Sequence, residues 1–251
     1  MEEMKNVSVD FNPLQRPKSL NDLAYQSLKA GILAGKLTAG EVYSELELAR
    51  KFGISRTPVR EALLRLSAEN LIVFHPRKGM SINYFNKEDI ENLFELRKAI
   101  EEATINKMAM NLSEEQIQTA KRIIAEQENC IKNDYNETLF LEMDRRLHLL
   151  FIEASNNRFV VQMYNGIRDY MTISAKKALT KKGRAHEVVR EHKAILEALS
   201  KRNGKRIKEA INRHLVNSKL AALRSHIENL QKWPEGRMAH TKARSRIHRH
   251  G

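Results

Sequence analysis

The chain has little of what several protein classes require. It holds a single cysteine, Cys130, in 251 residues, which excludes a disulfide framework and a cysteine zinc site and fits a reducing cytosol. No apolar run approaches the roughly 18 residues that a membrane span needs, so a transmembrane protein is excluded and a cytoplasmic one expected. The polar opening Met1-Glu2-Glu3-Met4-Lys5 leads into no apolar signal core. Blocks of one charge sign are also scarce. The 44 basic and 31 acidic residues leave +13, but the excess is spread as +3 over residues 1–85, +5 over 86–231 and +5 over the last twenty. Only 176–208 concentrates it, with twelve basic residues against three acidic, either as a DNA-facing strip or as a solvated helix face.

Residues 1–18 contain Pro13 and Pro17 without a sustained period and read as an extended arm. Ser19 can cap a helix whose apolar positions Leu20, Leu23, Ala24, Leu28 and Ile32 recur at helical spacing. A short helix from Ser44 to Lys51, the turn Phe52-Gly53-Ile54-Ser55 and a helix from Arg56 to about Asn70 form a helix-turn-helix candidate. Leu71–Phe74 and Met80–Tyr84 read as two strands of a hairpin around Pro76-Arg77-Lys78-Gly79, the only β structure expected. From Asn86, an N-cap with Asp89 three residues on, the pattern is helical over about 86–110, 113–132, 136–155, 157–179, 184–202 and 204–231. The fold class is therefore mostly α: a winged helix-turn-helix over 19–85, then a six-helix bundle over 86–231. The tail, 232–251, has no apolar period and is basic.

A helix-turn-helix needs a small residue inside its first helix and a sharp turn after it. Ala49 and Gly53 stand there, and Val59, Leu63 and Leu66 supply the buried face of the second helix. Ser55 suits the N-cap and Pro58 the first turn, where a missing N–H costs little. The exposed start of that helix carries Arg56, Thr57 and Arg60. Arginine pairs bidentately with guanine in the major groove, while threonine and helix-terminal N–H groups suit phosphate. A helical hairpin in an ordinary core has similar spacing; the attached wing points to DNA.

The run Ser44-Glu45-Leu46-Glu47-Leu48-Ala49-Arg50-Lys51-Phe52-Gly53-Ile54-Ser55-Arg56-Thr57-Pro58-Val59-Arg60-Glu61-Ala62-Leu63 resembles the signature of GntR-family bacterial transcription regulators. The resemblance implies that Arg50, Arg56 and Arg60 contact operator bases or backbone, Thr57 a phosphate, and Gly79 the minor groove from the wing tip. A residue without Cβ suits so close an approach.

Nine histidines raise the question of a metal, and the helix stripe each one shares decides how it is read. Phe140, Asp144, His148 and Phe151 lie on one stripe; Val188, His192, Ile195 and Leu199 on another; Ile207, Ile211, His214 and Ser218 on a third. Three helices thus offer an inward carboxylate and three inward imidazoles, a donor set that suits Zn, Ni, Mn or Fe. The same stripes also suit core histidines bonded to backbone carbonyls. His186 and His226 keep charged or polar company and read as solvent-facing, and His75 lies beside the wing turn. On spacing alone Arg97 and Glu101, one turn apart, fit a surface ion pair.

Asp144-Arg145-Arg146-Leu147-His148, Glu191-His192 and His214 are similar to the C-terminal FCD effector domain of that family, whose Asp, His, His, His positions are all filled here. Six bundle helices resemble its shorter, VanR-like branch. The resemblance implies a homodimer gripping a short palindromic DNA operator, a divalent metal ion at Asp144, His148, His192 and His214, and a small organic acid that reaches the cation; at Leu93-Phe94-Glu95-Leu96-Arg97 it also implies an Arg97 that faces the cavity and is available to that acid. Two rival readings are a metal-dependent hydrolase-like enzyme and a ligand-free architectural DNA-binding protein. No candidate base accompanies the histidines, and an enzyme needs no DNA-reading head.

Overall fold

The computed structural model describes residues 19–37, 41–75, 77–133 and 135–231. The expected arm (1–18), Pro76 of the wing turn and the basic tail (232–251) lie outside the described residues. The chain divides into two compact units, one of residues up to Gly31 with Glu41–Ile82, the other of Ile32–Gly40 with residues from Asn83 on.

The first unit is built on α1 (Leu20–Leu33), α2 (Glu45–Phe52) and α3 (Arg56–Ala68). Ser44 caps α2, its side chain accepting from the Glu47 N–H at 3.1 Å. Gly53 ends α2 in the left-handed region at φ 66°, which only glycine adopts at low cost, and so makes the sharp turn into α3. Val59, Ala62, Leu63 and Leu66 of α3 are fully buried, and Ala49 is small enough to let α2 approach them.

Three strands form the wing: β1 (Val42–Tyr43), β2 (Ile72–His75) and β3 (Gly79–Ile82), in the order β1-β3-β2, all antiparallel. The hairpin is as the sequence predicts, pairing Ile72 with Ile82 and His75 with Gly79. Strand β1 is a correction. Two residues are too short for any period, and they are extended because Val42 and Tyr43 pair with Ser81 and Met80 across the chain. His75 is half-buried and shares a 2.7 Å hydrogen bond with Ser81 across the hairpin.

The second unit contains α4 (Lys87–Asn111), α5 (Glu114–Lys132), α6 (Glu137–Glu153), α7 (Arg158–Leu179), α8 (Arg184–Ser200) and α9 (Gly204–Gln231). Capping boxes begin α4 at Asn86 with Asp89 and α5 at Ser113 with Gln116, while Asn136 and Asn157 cap α6 and α7. Their apolar stripes meet in a core that includes Phe140, Leu147, Phe151, Ile195, Leu199 and Ile207, each at most 3% exposed. His186 is exposed, as expected. His226 is not: it is half-buried, with Tyr84 Oη 3.3 Å from its Nε2, because α9 keeps an inward face through Ala222 and Ser225.

Gly79 carries a constraint of its own. Its φ is +117°, and a Cβ there would lie 2.3 Å from the Tyr43 carbonyl oxygen, a backbone atom that cannot yield without moving β1. We expect Gly79→Ala to cost about 2–3 kcal/mol through backbone strain and this clash. Denaturant unfolding of the variant checks it; an unchanged midpoint contradicts the β1–β3 geometry.

Candidate functional site

Three helices of the second unit place the sequence-predicted histidines together. Phe140, Leu147 and Phe151 turn the inner face of α6 into the core, and Asp144 and His148 lie between them one turn apart. His192 comes from α8 and His214 from α9. One ligand atom from each of the four lies within 4.8 Å of all the others. His148 is 2%, His192 0% and His214 1% exposed. Asp144 retains 22% accessibility of its side chain, so it is the edge at which the cluster meets solvent.

The outward nitrogens fix the chemistry of the inward ones. His192 Nδ1 lies 2.9 Å from Gln127 Oε1 and His214 Nδ1 2.8 Å from Glu191 Oε2. Both oxygens only accept, so each Nδ1 carries the proton and donates it, and each Nε2 is left as a bare lone pair. His148 Nδ1 faces Glu101 Oε1 at 3.4 Å in the same sense. The inward sides converge: His148 Nε2 is 3.2 Å from His214 Nε2, and His192 Nε2 is 3.3 Å from Asp144 Oδ1 with no hydrogen-bond partner. Lone pairs and a carboxylate held this close repel one another unless a proton, as in a hydrogen bond between His148 and His214, or a cation lies among them. Three imidazole nitrogens and one carboxylate oxygen fit a divalent transition ion, and Asp144, His148, His192 and His214 are the residues that would hold it.

An outer ring of residues, of which the sequence singles out only Arg97 and Glu101, holds the imidazoles. Glu191 accepts from Arg184 at 2.9 and 3.1 Å and from Asn217 at 2.8 Å besides His214. Burial alone would raise its carboxyl, but the bonds from His214 and Arg184 outweigh that and hold it at about 2. Glu101 receives Arg97 Nε at 2.7 Å, and both side chains are buried. Of the two arrangements open to these residues, a surface ion pair and an inward-facing Arg97, the structure has the inward one. Burial opposes its charge, yet Arg97 and His148 keep the Glu101 carboxyl far below its ordinary range. Arg97 Nη2 is buried without a partner, a donor left over beside the cluster. The ring was partly legible: Ile90, Phe94, Arg97, Glu101, Ile105 and Met108 continue one stripe on α4, and Ile117, Ala120, Ile124 and Gln127 another on α5, all buried.

The first unit presents the sequence-predicted DNA contacts at its surface. Arg50, Arg56, Thr57 and Arg60 are all exposed, three of them in the first turns of α3. Arg56 leans 3.6 Å from Glu45. Ser55 takes the N-cap position but makes no capping hydrogen bond, so the α3 N-terminus keeps N–H groups for an outside acceptor. Gly79 is accounted for by its contact with Tyr43 and needs no DNA to explain it.

Residues 20–82 match the family model of bacterial regulatory proteins, gntR family, and residues 92–217 match the FCD domain. The chain is 28% identical over 207 residues to the HTH-type transcriptional regulator YdhC of Bacillus subtilis, across 82% of this chain and 90% of that protein. It is 25% identical over 209 residues to the HTH-type transcriptional repressor RspR of Escherichia coli, across 83% and 90%. In fold it is similar to E. coli McbR/YncC, at TM-score 0.71 and 19% identity, covering 84% of this chain and 100% of that one. These relatives are regulators, and the hydrolase-like alternative falls away.

His192 and His214 make the stability of the metal-stripped protein depend on pH. Burial pushes His214 down to about 3 from 6.5, against the pull of Glu191, and lowers His192 as well. The unfolded chain then takes up protons below pH 6.5 that the native chain refuses, so stability falls with pH across the window from 6.5 to about 3. Asp144, Glu101 and Glu191, all held below their ordinary range, add to the loss at its acid end. Denaturant melts from pH 7 to 4 should show a steady decline; a flat profile contradicts the proton assignment.

Proposed function

This chain belongs to the gntR family of bacterial regulatory proteins and carries an FCD domain, and from that premise we propose that a cation and a small organic acid in the bundle control its grip on DNA. It is a DNA-binding transcriptional regulator. The observation that carries the finer reading is the convergence of Asp144, His148, His192 and His214 ligand atoms within 4.8 Å. A divalent ion bound there supplies a fixed positive centre for an anionic oxygen. Arg97 Nη2, a buried donor without a partner, is the group to hold a second oxygen of the acid, and the accessible edge at Asp144 is where the acid meets the site. Neutral sugars and amines gain little from such a combination.

Two copies act together in this reading, in the cytoplasm. Phe159 and Met163, one turn apart on α7, are 63% and 54% exposed and belong to a surface that a second copy would cover. Each head inserts α3 into the major groove of one half of a short palindrome. Arg60 and Arg56 read bases, Thr57 and the α3 N-terminus take phosphate, Arg50 supports from α2, and the wing at Gly79 lies along the minor groove. The exposure of all four side chains supports this assignment.

Arg60→Ala should weaken operator binding by about 1–3 kcal/mol and relax preference at one position. Titrations across operator variants check it, and uniform weakening would make Arg60 a phosphate contact. For the bundle, elemental analysis of purified protein should find a divalent ion that His192→Ala loses; the variant should also lose the response of DNA binding to small carboxylic acids, while DNA binding without the acid is largely kept. Small carboxylic acids should raise the melting point of the metal-loaded protein and fail after chelation. Equal stabilisation before and after verified metal removal would sink the metal-dependent mechanism while leaving a DNA-binding regulator.

A further inference from the structure

Apart from Arg184, the basic concentration at 176–208 has no place in either role above, and part of it lines a cleft between α8 and α9. The cleft has a volume of about 530 Å³. Its lining includes four alanines, Ala178, Ala194, Ala210 and Ala221, and side chains this short leave the seam between the helices unfilled. A second hollow of about 220 Å³ continues along the seam, sharing Ala194, Ala210 and Arg213. Volumes of a few hundred Å³ are those of small-molecule sites, and a concave seam of this size has no room for a nucleic-acid duplex.

Charge in the cleft is unbalanced in a specific way. Lys181 is paired with Glu228. Arg184 takes both cleft carboxylates, Glu187 at 3.1 Å and Glu191 at 2.9 Å. Glu191 has nothing left to offer, because Arg184, Asn217 and His214 already occupy its two oxygens. Arg190, Arg213 and Arg224 also line the cleft, are exposed, and have no acidic partner among the described residues. Arg213, Asn217, Leu220 and Arg224 follow one another at spacings of four, three and four, which puts both arginines on one face of α9, opposite Arg190 on α8. Three planar forks around a concave floor are the natural receptor for an anion with several oxygens.

We propose that the α8–α9 cleft is a second ligand site, separate from the imidazole cluster, which binds a small polyanion bearing phosphate or multiple carboxylate groups through Arg190, Arg213 and Arg224. It needs no metal, and it stands whether or not the bundle binds a cation. The cleft and the cluster share one wall, Glu191, whose far oxygen holds His214, so an occupant of the cleft lies one hydrogen-bonded residue from the imidazoles.

The test is calorimetric titration of metal-stripped, full-length protein with inorganic pyrophosphate and, separately, citrate. Stripping removes competition for the probes by bound metal and silences the cluster. Saturable binding of one probe molecule per chain is expected, and the tighter probe assigns phosphate or carboxylate. Arg213→Gln with Arg224→Gln should weaken binding by about tenfold or more, the loss of charge-assisted bidentate bonds. Lys121→Gln with Lys205→Gln removes the same charge at exposed positions outside the cleft and should change it less than about twofold. Arg213→Lys with Arg224→Lys keeps charge without the forks, gives an intermediate affinity, and serves if the glutamine pair folds poorly. The proposal is overturned by absence of saturable binding, or by equal weakening in the cleft and control pairs. It is also overturned if the cleft variants instead lose DNA affinity or dissociate a dimer in sedimentation with pyrophosphate binding unchanged, since the arginines would then serve DNA or a second copy.

Discussion

Three imidazole lone pairs and a carboxylate in one buried space repel each other unless a proton or a cation lies among them, and a ring of polar residues in the bundle holds them there. Burying such groups without compensation costs several kcal/mol. The compensation comes from outside inward. Arg184 fixes Glu191, which orients His214; Arg97 fixes Glu101, which faces His148; Gln127 orients His192. Each chain of contacts ends in a different helix, so α4, α5, α8 and α9 are tied to the cluster by polar bonds as well as by the apolar core.

This architecture explains why charged residues sit where an apolar core would otherwise close. An ion pair such as Arg97–Glu101 at full burial contributes little net stability, since desolvation offsets the attraction. Breaking it by removing one partner is costly. Here each Nδ1 of the three imidazoles faces an acceptor, an arrangement that favours the tautomer with its Nε2 lone pair turned inward.

The helices and their caps were legible because six long amphipathic stretches are separated by Asn, Ser and Gly signals at the right offsets. The cluster was legible because Asp144, His148, His192 and His214 interrupt apolar stripes. Residues with ambiguous side chains were not. Gln127 lies in Glu126-Gln127-Glu128-Asn129, which reads as solvent-facing unless its place on the Ile117, Ala120 and Ile124 stripe is given weight. Spacing alone leaves Arg97 and Glu101 ambiguous, because i,i+4 is the same inside and out; the family resemblance and the surrounding Phe94, Ile105 and Met108 are what mark the stripe as inward. Strand β1 left no trace, since a two-residue strand is defined wholly by its partner β3.

The contrast between Gly79 and the arginines of α3 shows where function can be read from structure. Gly79 is required by the fold, because any Cβ meets the Tyr43 carbonyl, so its identity carries no weight as a sign of DNA contact. Nothing in the fold requires Arg60 or Thr57, which are exposed on a helix whose buried face is complete without them. The same holds for Arg190, Arg213 and Arg224 around a floor of alanines. A solvated arginine that packs nothing and pairs with nothing contributes little to stability. Where three of them gather around one concavity without an acidic partner among the described residues, an anion from outside the chain is the proposed occupant.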